Sequence, residues 1–174
     1  MADELLDLVN KEDEVIGKIM KSEAHKDGLL HRTVIAEVIG KNRTWTLVEQ
    51  SQSKQDTGQY VSAIGGHVKS GESCVQALKR EAKEEYGLSG NFKFKLIGKK
   101  IYNRTVKGNR ENHYFIIYEI YTSKKPILDE ESVSYKEFSE RDLSKELKSH
   151  PKKFGPPFLF LINTFYPNLT LKRP

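Results

Sequence analysis

A helix predicted near the middle of the chain limits the possible folds more than any other part of the sequence. Ser73 followed by Gln76 fits a capping box, so a helix is predicted to begin at Cys74. Gly87 fits the residue just past a helix end, which places the last helical residue at Tyr86. At about 100° per residue, the apolar side chains share one face and predict contact with a core. That face consists of Val75, Leu78, Ala82 and Tyr86.

Three glutamates, Glu81, Glu84 and Glu85, share a neighbouring face of the same helix. Each like-charge pair at these spacings costs about 0.2–0.5 kcal/mol. Anions in the last turn also face the negative end of the helix dipole, at about 0.3–1 kcal/mol each. A solvated acidic face is the ordinary interpretation. However, a group of residues that is locally unfavourable in two ways often marks a functional site. Bound Mg²⁺ or Mn²⁺ would turn the repulsion into ligation.

The surrounding segment, residues 66–88, resembles the Nudix box. That motif places glycines, glutamates, an Arg-Glu pair and aliphatic residues at fixed spacing around one helix. The matching positions are Gly66, Glu72, Arg80, Glu81, Ala82, Glu84, Glu85, Gly87 and Leu88. Ala82 is a soft departure, because it is smaller than the usual aliphatic residue.

The resemblance implies a fold, a metal and a set of catalytic residues. The fold class is α/β: a Nudix fold, an α/β/α sandwich with a central mixed β-sheet, in one domain over residues 1–174. The implied ligands of Mg²⁺ or Mn²⁺ are the three helix glutamates and the carbonyl of Gly65. Glu72 and Arg80 are implied to support them in catalysis. The general base would be one of the helix glutamates, or else Glu130 or Glu131.

The N-terminal half resembles the isopentenyl-diphosphate isomerase branch of this superfamily, through DLVNKEDEVIG, AHKDGLLHR and SAIGGHVKSGES. That resemblance implies further metal or substrate ligands; ordinary structural histidines are the alternative. The positions concerned are His25, His31, His67, Glu111 and His113. The isomerase pattern fails at two of its reactive positions. Gly65 stands where isomerases need a cysteine, and His113 stands where they use a second glutamate.

The rest of the chain predicts short strands and two further helices. Apolar runs predict strands at 5–9, 15–20, 33–39, 45–49, 92–97 and 113–121. The first two form an N-terminal hairpin over about residues 4–20. One helix is expected after Glu140-Arg141-Asp142 up to about Lys148, and another from Pro156-Pro157 toward Tyr166.

The leading functional hypothesis is a metal-dependent hydrolase that cleaves a phosphoanhydride bond in a nucleoside diphosphate derivative or similar small diphosphate. The alternatives are an isomerase-like enzyme and a non-catalytic nucleotide- or RNA-binding module. No apolar run approaches the roughly 18 residues of a membrane span, and the start does not resemble a secretory signal. A lone cysteine, Cys74, then favours the cytoplasm. A net charge of +5 suits anionic ligands, but the basic stretches lack interleaved aromatics, which disfavours a nucleic-acid partner. A monomer or a homodimer is expected.

Overall fold

The computed structural model describes residues 3–128 and 130–170 of the chain. In chain order, its strands and α-helices are β1 (Leu5–Val9), β2 (Val15–Met20), α1 (Lys21–Asp27), β3 (His31–Ile39), β4 (Trp45–Gln50), β5 (Tyr60–Ser62), β6 (Ile64–His67), α2 (Cys74–Tyr86), β7 (Lys93–Val106), β8 (Asn109–Tyr121), β9 (Ser132–Phe138), α3 (Glu140–Ser149) and α4 (Pro156–Phe165). Short 3₁₀ turns lie at Lys41–Arg43, Pro151–Lys153 and Pro167–Leu169.

Strand β3 is the centre of a mixed sheet. It pairs in parallel with β8 along its whole length, from His31 opposite His113 to Ile39 opposite Tyr121. Three antiparallel partners share its other edge: β1 at the start, β6 in the middle and β4 at the end. Strand β7 extends the sheet beyond β8, β2 beyond β1, and β5 and β9 beyond β4. The predicted N-terminal hairpin is therefore present as β1 and β2.

Alternating residues of β3 pack against helices on opposite sides of the sheet. Val34, Ala36 and Val38 belong to a buried cluster with the apolar face of α2. Ile35 packs in a second cluster with Leu161 of α4, and Ile39 in a third with Ile162. The predicted α/β/α sandwich is confirmed, because helices cover both faces of the sheet. The side chains of a strand alternate between its two faces, so β3 supplies apolar residues to both helical layers.

Helix α2 begins and ends at the predicted residues. The Ser73–Gln76 capping box is formed, and Gly87 adopts a left-handed conformation with φ of 73°. One part of the predicted core face is wrong: Val75 is 37% exposed, while Ala77 is fully buried. Periodicity gives the direction in which a side chain points, but other parts of the chain decide how far each turn is covered.

Several elements of the structure were not predicted from the sequence. Helix α1 has seven residues, no side-chain cap, and one buried residue, Ala24. Strands β5 and β6 are three and four residues long, and β6 contains two glycines. Strand β9 was also missed. Strands β7 and β8 run past their predicted limits into a polar hairpin that turns at Lys107 and Gly108, both with positive φ. In the described part of the chain, no helix is long and apolar enough to cross a membrane.

Candidate active site

One large cavity, of about 1260 Å³, collects most of the predicted functional residues. The box contributes Gly66, Arg80 and all three helix glutamates to its lining, and the preceding Gly65 lines it as well. The rest of the predicted set on its walls comprises His25, His67, Glu111, His113 and Glu131. Ligand pockets usually measure about 300–1,000 Å³, so this space suffices for a substrate of nucleotide size.

Arg80 holds the acidic residues of the box in fixed positions. Its Nε and Nη2 donate to the two carboxylate oxygens of Glu72 at 3.0 and 2.9 Å, a bidentate pair. Its Nη1 donates to Glu81 and, at 3.3 Å, to Glu84. Nη2 also reaches the carbonyl oxygen of His67 at 2.8 Å. The Glu72 hydrogen bond is the main reason that the pKa of Arg80 lies above its usual value. A planar guanidinium suits this role, since it serves several acceptors at once.

Glu81 and Glu85 point into the cavity from a largely desolvated position. Glu81 is 8% exposed, and its burial raises the pKa of the carboxyl despite the charge of Arg80. Burial also raises the pKa of Glu85 to about 8, although the backbone N–H of Gly65 donates to its carboxylate at 2.6 Å. Burial therefore favours the protonated form of both carboxyls, and a further positive charge beside them would favour ionisation.

The box glycine at position 66 is required by the position of Glu81. A Cβ atom at Gly66 would lie 2.0 Å from Oε1 of Glu81, well inside van der Waals contact. The neighbouring Gly65 is different, because the nearest atoms to a Cβ there lie at 3.7 Å. The chain thus presses its backbone against one carboxylate of the box.

The donor set on α2 fits a hard divalent cation. Its side-chain oxygens come from Glu81, Glu84 and Glu85, and Mg²⁺ and Mn²⁺ prefer carboxylate and carbonyl oxygens. Glu84 is the most accessible of the three, with 57% of its side chain exposed. Glu81 is paired with Arg80, whereas Glu85 forms no ion pair with a lysine or arginine among the described residues, so its raised pKa marks the carboxyl that a bound cation would compensate.

Four histidines converge beside the same cavity, and we call them the histidine cluster: His25, His31, His67 and His113. Three of them line the cavity, and His31 is fully buried next to them. The registers of the sheet explain the convergence. His31 on β3 lies opposite His113 on β8, and Thr33, two residues along β3, lies opposite His67 on β6. His25 comes from α1. Burial lowers the pKa of His31 to about 4 and places those of His67 and His113 well below the usual value.

Glu111, predicted beside these histidines, is engaged elsewhere. Its carboxylate accepts from Nε of Arg104 at 2.6 Å, and the two terminal nitrogens of Arg104 donate to Asp56 at 2.6 and 3.0 Å. Neither Arg104 nor Asp56 was predicted. They lie 48 positions apart in sequence, and no local pattern connects them.

The two candidate bases differ in position. Glu131 lines the cavity and forms an ion pair with Lys54, a residue the sequence analysis did not identify. Glu130 is exposed and is not among the lining residues. Of the two, therefore, Glu131 reaches the site in this structure.

Comparison with known proteins yields two kinds of relative. An isopentenyl-diphosphate Delta-isomerase of Serratia proteamaculans is 29% identical over 92% of this chain and 90% of its own length. An uncharacterized Nudix hydrolase of Streptomyces coelicolor is 36% identical, over 51% of this chain and half of its own length. Among solved structures, DR0079 of Deinococcus radiodurans superposes with a TM-score of 0.76 at 22% identity, covering 94% of this chain and 99% of that one.

The family itself follows from a match to the whole domain. Residues 29–158 match the model of the NUDIX domain, a range that contains the complete box and most of the cavity wall. The glutamates of α2, Arg80 and Gly66 all lie within the matched range. The chain therefore belongs to the Nudix family.

Proposed function

We propose that this protein is a divalent-metal-dependent hydrolase that cleaves a phosphoanhydride bond in a nucleoside diphosphate derivative or a similar small diphosphate. The observation that carries the proposal is the glutamate group on α2, held by Arg80 and facing a cavity of about 1260 Å³. The relatedness to Nudix hydrolases supports it. Hydrolysis requires neutralised phosphate charge, a positioned water and a base, and this chain has residues for each requirement.

The metal-binding residues are Glu81, Glu84 and Glu85, with the carbonyl of Gly65. When bound, a divalent cation would polarise a phosphoryl oxygen and offset the charge of the diphosphate. Arg80 orients Glu81 and Glu84 for that task through its hydrogen bonds. Glu72 in turn holds Arg80, so it acts on the site through Arg80 and not by contact with the substrate.

The cavity also offers charge and apolar surface to the rest of a substrate. Lys21, Lys54 and Lys69 line it and supply cations beyond those of the box. Phe115 and Phe158 also line it and contribute apolar atoms to the wall, against which an uncharged portion of the substrate would pack. This combination suits a molecule with a diphosphate at one end and a ring system at the other.

We assign Glu131 as the general base. It comes from the segment that leads into β9 and lies in the cavity, and its charge acts on Glu85. Its ion pair with Lys54 fixes the carboxylate near the metal-binding group. A base must lie within hydrogen-bond reach of the attacking water, and Glu131 is better placed for this than the exposed Glu130.

An isomerase is the second candidate, favoured by the full-length similarity to isopentenyl-diphosphate isomerases. Isomerisation moves a double bond and needs an acid and a base directed at carbon. Gly65 has no side chain to supply one of them, and His113 replaces the other. A Cβ at Gly65 would lie 3.7 Å from its nearest atoms, so the backbone here does not itself require glycine.

The deciding experiment compares both reactions in the same preparation. The protein with Mg²⁺ is incubated with isopentenyl diphosphate and, separately, with a panel of nucleoside diphosphate derivatives. We expect phosphate-bond cleavage in the panel and no dimethylallyl diphosphate. Dimethylallyl diphosphate formation without any hydrolysis would overturn the proposal, and tight binding of panel members without turnover would favour a non-catalytic module. The Gly65→Cys/His113→Glu variant is the matched control for the isomerase pattern.

A further inference from the structure

A second cavity, of about 810 Å³, lies at the other end of the sheet from the histidine cluster, and we call it the α3 cavity. Its walls come from the 3₁₀ turn at Lys41–Arg43, the start of β4, helix α3, and the end of α4 with the turn that follows it. Trp45, which lines it, is paired with Ile39 at the end of β3, whereas His31 begins that strand. Eight residue steps of about 3.3 Å place the two ends of β3 roughly 26 Å apart. Among the described residues, none lines both this cavity and the active-site cavity.

The α3 cavity carries an excess of positive charge. Helix α3 contributes three cations at spacings of four and three residues, which places them on one stripe of the helix. These are Arg141, Lys145 and Lys148, and Arg43 adds a fourth cation from the 3₁₀ turn. Glu140 is the one carboxylate of the described lining, and it accepts from Nε of Arg43 at 2.5 Å. Because that pair is already matched, the charge of the three cations of α3 remains in excess.

Ion pairs within the protein do not account for this group of cations. Arg141 and Lys145 form no ion pair within residues 3–128 and 130–170. The other two acids of α3, Asp142 and Glu146, do not line the cavity and are bonded to side chains outside it. Like charges at these helical spacings repel one another, and Arg141 also lies in the first turn, at the positive end of the helix dipole. A bound anion would offset both effects.

The lining of the α3 cavity also contains a buried hydrogen-bond donor without a partner. Trp45 is 0% exposed, and its Nε1 forms no hydrogen bond with any of the described residues. An indole N–H can only donate, so the group that satisfies it must be an acceptor. Since buried polar groups are almost always paired, an unpaired donor beside a cavity requires an explanation. An anionic oxygen is the one kind of group that would suit both this donor and the cations of α3.

The size and the aromatic residues of the cavity indicate that the anion is part of a molecule with a ring. Phe165 and Tyr166 are half-buried in its wall, and the ring of Tyr166 packs edge-on against that of Trp45, with 4.9 Å between centroids. Small-molecule sites usually measure about 300–1,000 Å³, and inorganic phosphate alone would leave most of this space open. A phosphate monoester carries a charge of about −1.5 to −2 at neutral pH, which matches a site with two or three cations.

We propose that the α3 cavity is a second ligand site, which binds the phosphate group of a small ring-containing molecule such as a nucleoside monophosphate. Arg141 and Lys145 hold the phosphate, and the planar guanidinium of the arginine can bond to two of its oxygens at once. Nε1 of Trp45 donates to a further oxygen, and the ring of the ligand packs against Phe165 and Tyr166. The site is separate from the glutamates of α2 and does not depend on the proposed hydrolysis.

Trp45 is the only tryptophan of the chain, so its fluorescence reports binding in the α3 cavity without reference to activity. The full chain, with no added metal, is titrated with adenosine monophosphate and, separately, with inorganic phosphate. Excitation at the red edge of the tryptophan band avoids absorption by adenine. We expect a saturable change with adenosine monophosphate, and a need for about tenfold more inorganic phosphate, which lacks the ring contacts. The Glu84→Gln/Glu85→Gln variant should respond equally, because it alters only the active-site cavity.

Two double variants with the same change in net charge complete the test. Arg141→Gln/Lys145→Gln should weaken the binding of adenosine monophosphate by about tenfold or more, because two charged donors to the phosphate are lost. Lys11→Gln/Lys18→Gln, at two exposed lysines of the first hairpin, should leave the binding unchanged. Absence of a saturable response in the unaltered chain, or an equal loss in both double variants, overturns the site. Equal affinity for inorganic phosphate and adenosine monophosphate overturns the assignment of a ring-containing ligand.

Discussion

The affinity of the box for Mg²⁺ should depend steeply on pH, because Glu85 must lose a proton to bind metal. Burial raises the pKa of Glu85 to about 8 in the metal-free protein. A cation competes with that proton, so the apparent affinity falls about tenfold for each pH unit below 8. At about pH 6 the binding should be roughly a hundredfold weaker than its plateau, a difference of about 2.7 kcal/mol. Above the pKa it should level off.

Calorimetry in two buffers of different ionisation enthalpy measures both the Mg²⁺ affinity and the number of protons released on binding. Mg²⁺ is the ion of choice, because imidazole clusters bind it poorly. About one proton should be released per ion at about pH 6, with a further contribution from the raised pKa of Glu81, and release from Glu85 should vanish above about pH 9. Glu85→Gln binds more weakly and should lose the step near pH 8. An affinity that changes less than about twofold between pH 6 and 8 refutes the reasoning, as does an equal slope in the Gln variant.

Three further predictions follow from single contacts. Burial raises the pKa of Glu37 from 4.5 to about 7, so the buried carboxyl does not destabilise the fold below about pH 4.5, and stability is lost as the pH rises from there through 7. Glu37→Gln should therefore raise the free energy of unfolding in urea by about 3 kcal/mol at about pH 8, and by almost nothing at about pH 4. Gly66→Ala should abolish Mg²⁺ binding in a folded protein, since its Cβ would lie 2.0 Å from Glu81, whereas Gly65→Ala should be tolerated. Arg80→Lys should lower kcat and Mg²⁺ affinity together, because the bidentate fork is lost; a rise in KM alone would instead assign Arg80 to substrate binding.

Local signals explain why α2 and the first hairpin could be predicted to the residue. The capping box, the terminal Gly87 and the apolar period of α2 all act within a few positions of one another. The strands of the hairpin are short apolar runs on either side of a polar turn, and Asp13 in that turn adopts a positive φ. By contrast, α1 has little apolar surface, and β6 is half glycine, so neither shows the pattern of its own structure.

In the candidate site, too, some features follow from local sequence and others depend on the tertiary structure. The spacing of Glu81, Glu84 and Glu85 is fixed by the helix period, so the sequence placed these carboxylates together. The depth of their burial, and with it the raised pKa of Glu85, depends on the chain around the cavity. The sequence likewise indicated the segment of Glu130 and Glu131, but the fold determined that Glu131 faces the cavity.

What the sequence alone determined is therefore the helix, its caps, the family to which its motif belongs and the clustering of three glutamates on one helix face. The tertiary structure decided the rest of the cavity wall. His113 joins His31 because β8 lies parallel to β3 in one particular register, and a shift by one residue would turn it to the other face. Glu111 is directed to Arg104 and Asp56 by contacts across many positions of sequence. Local patterns follow from the backbone periods of one element, whereas these pairings arise only when separate strands and loops are packed together.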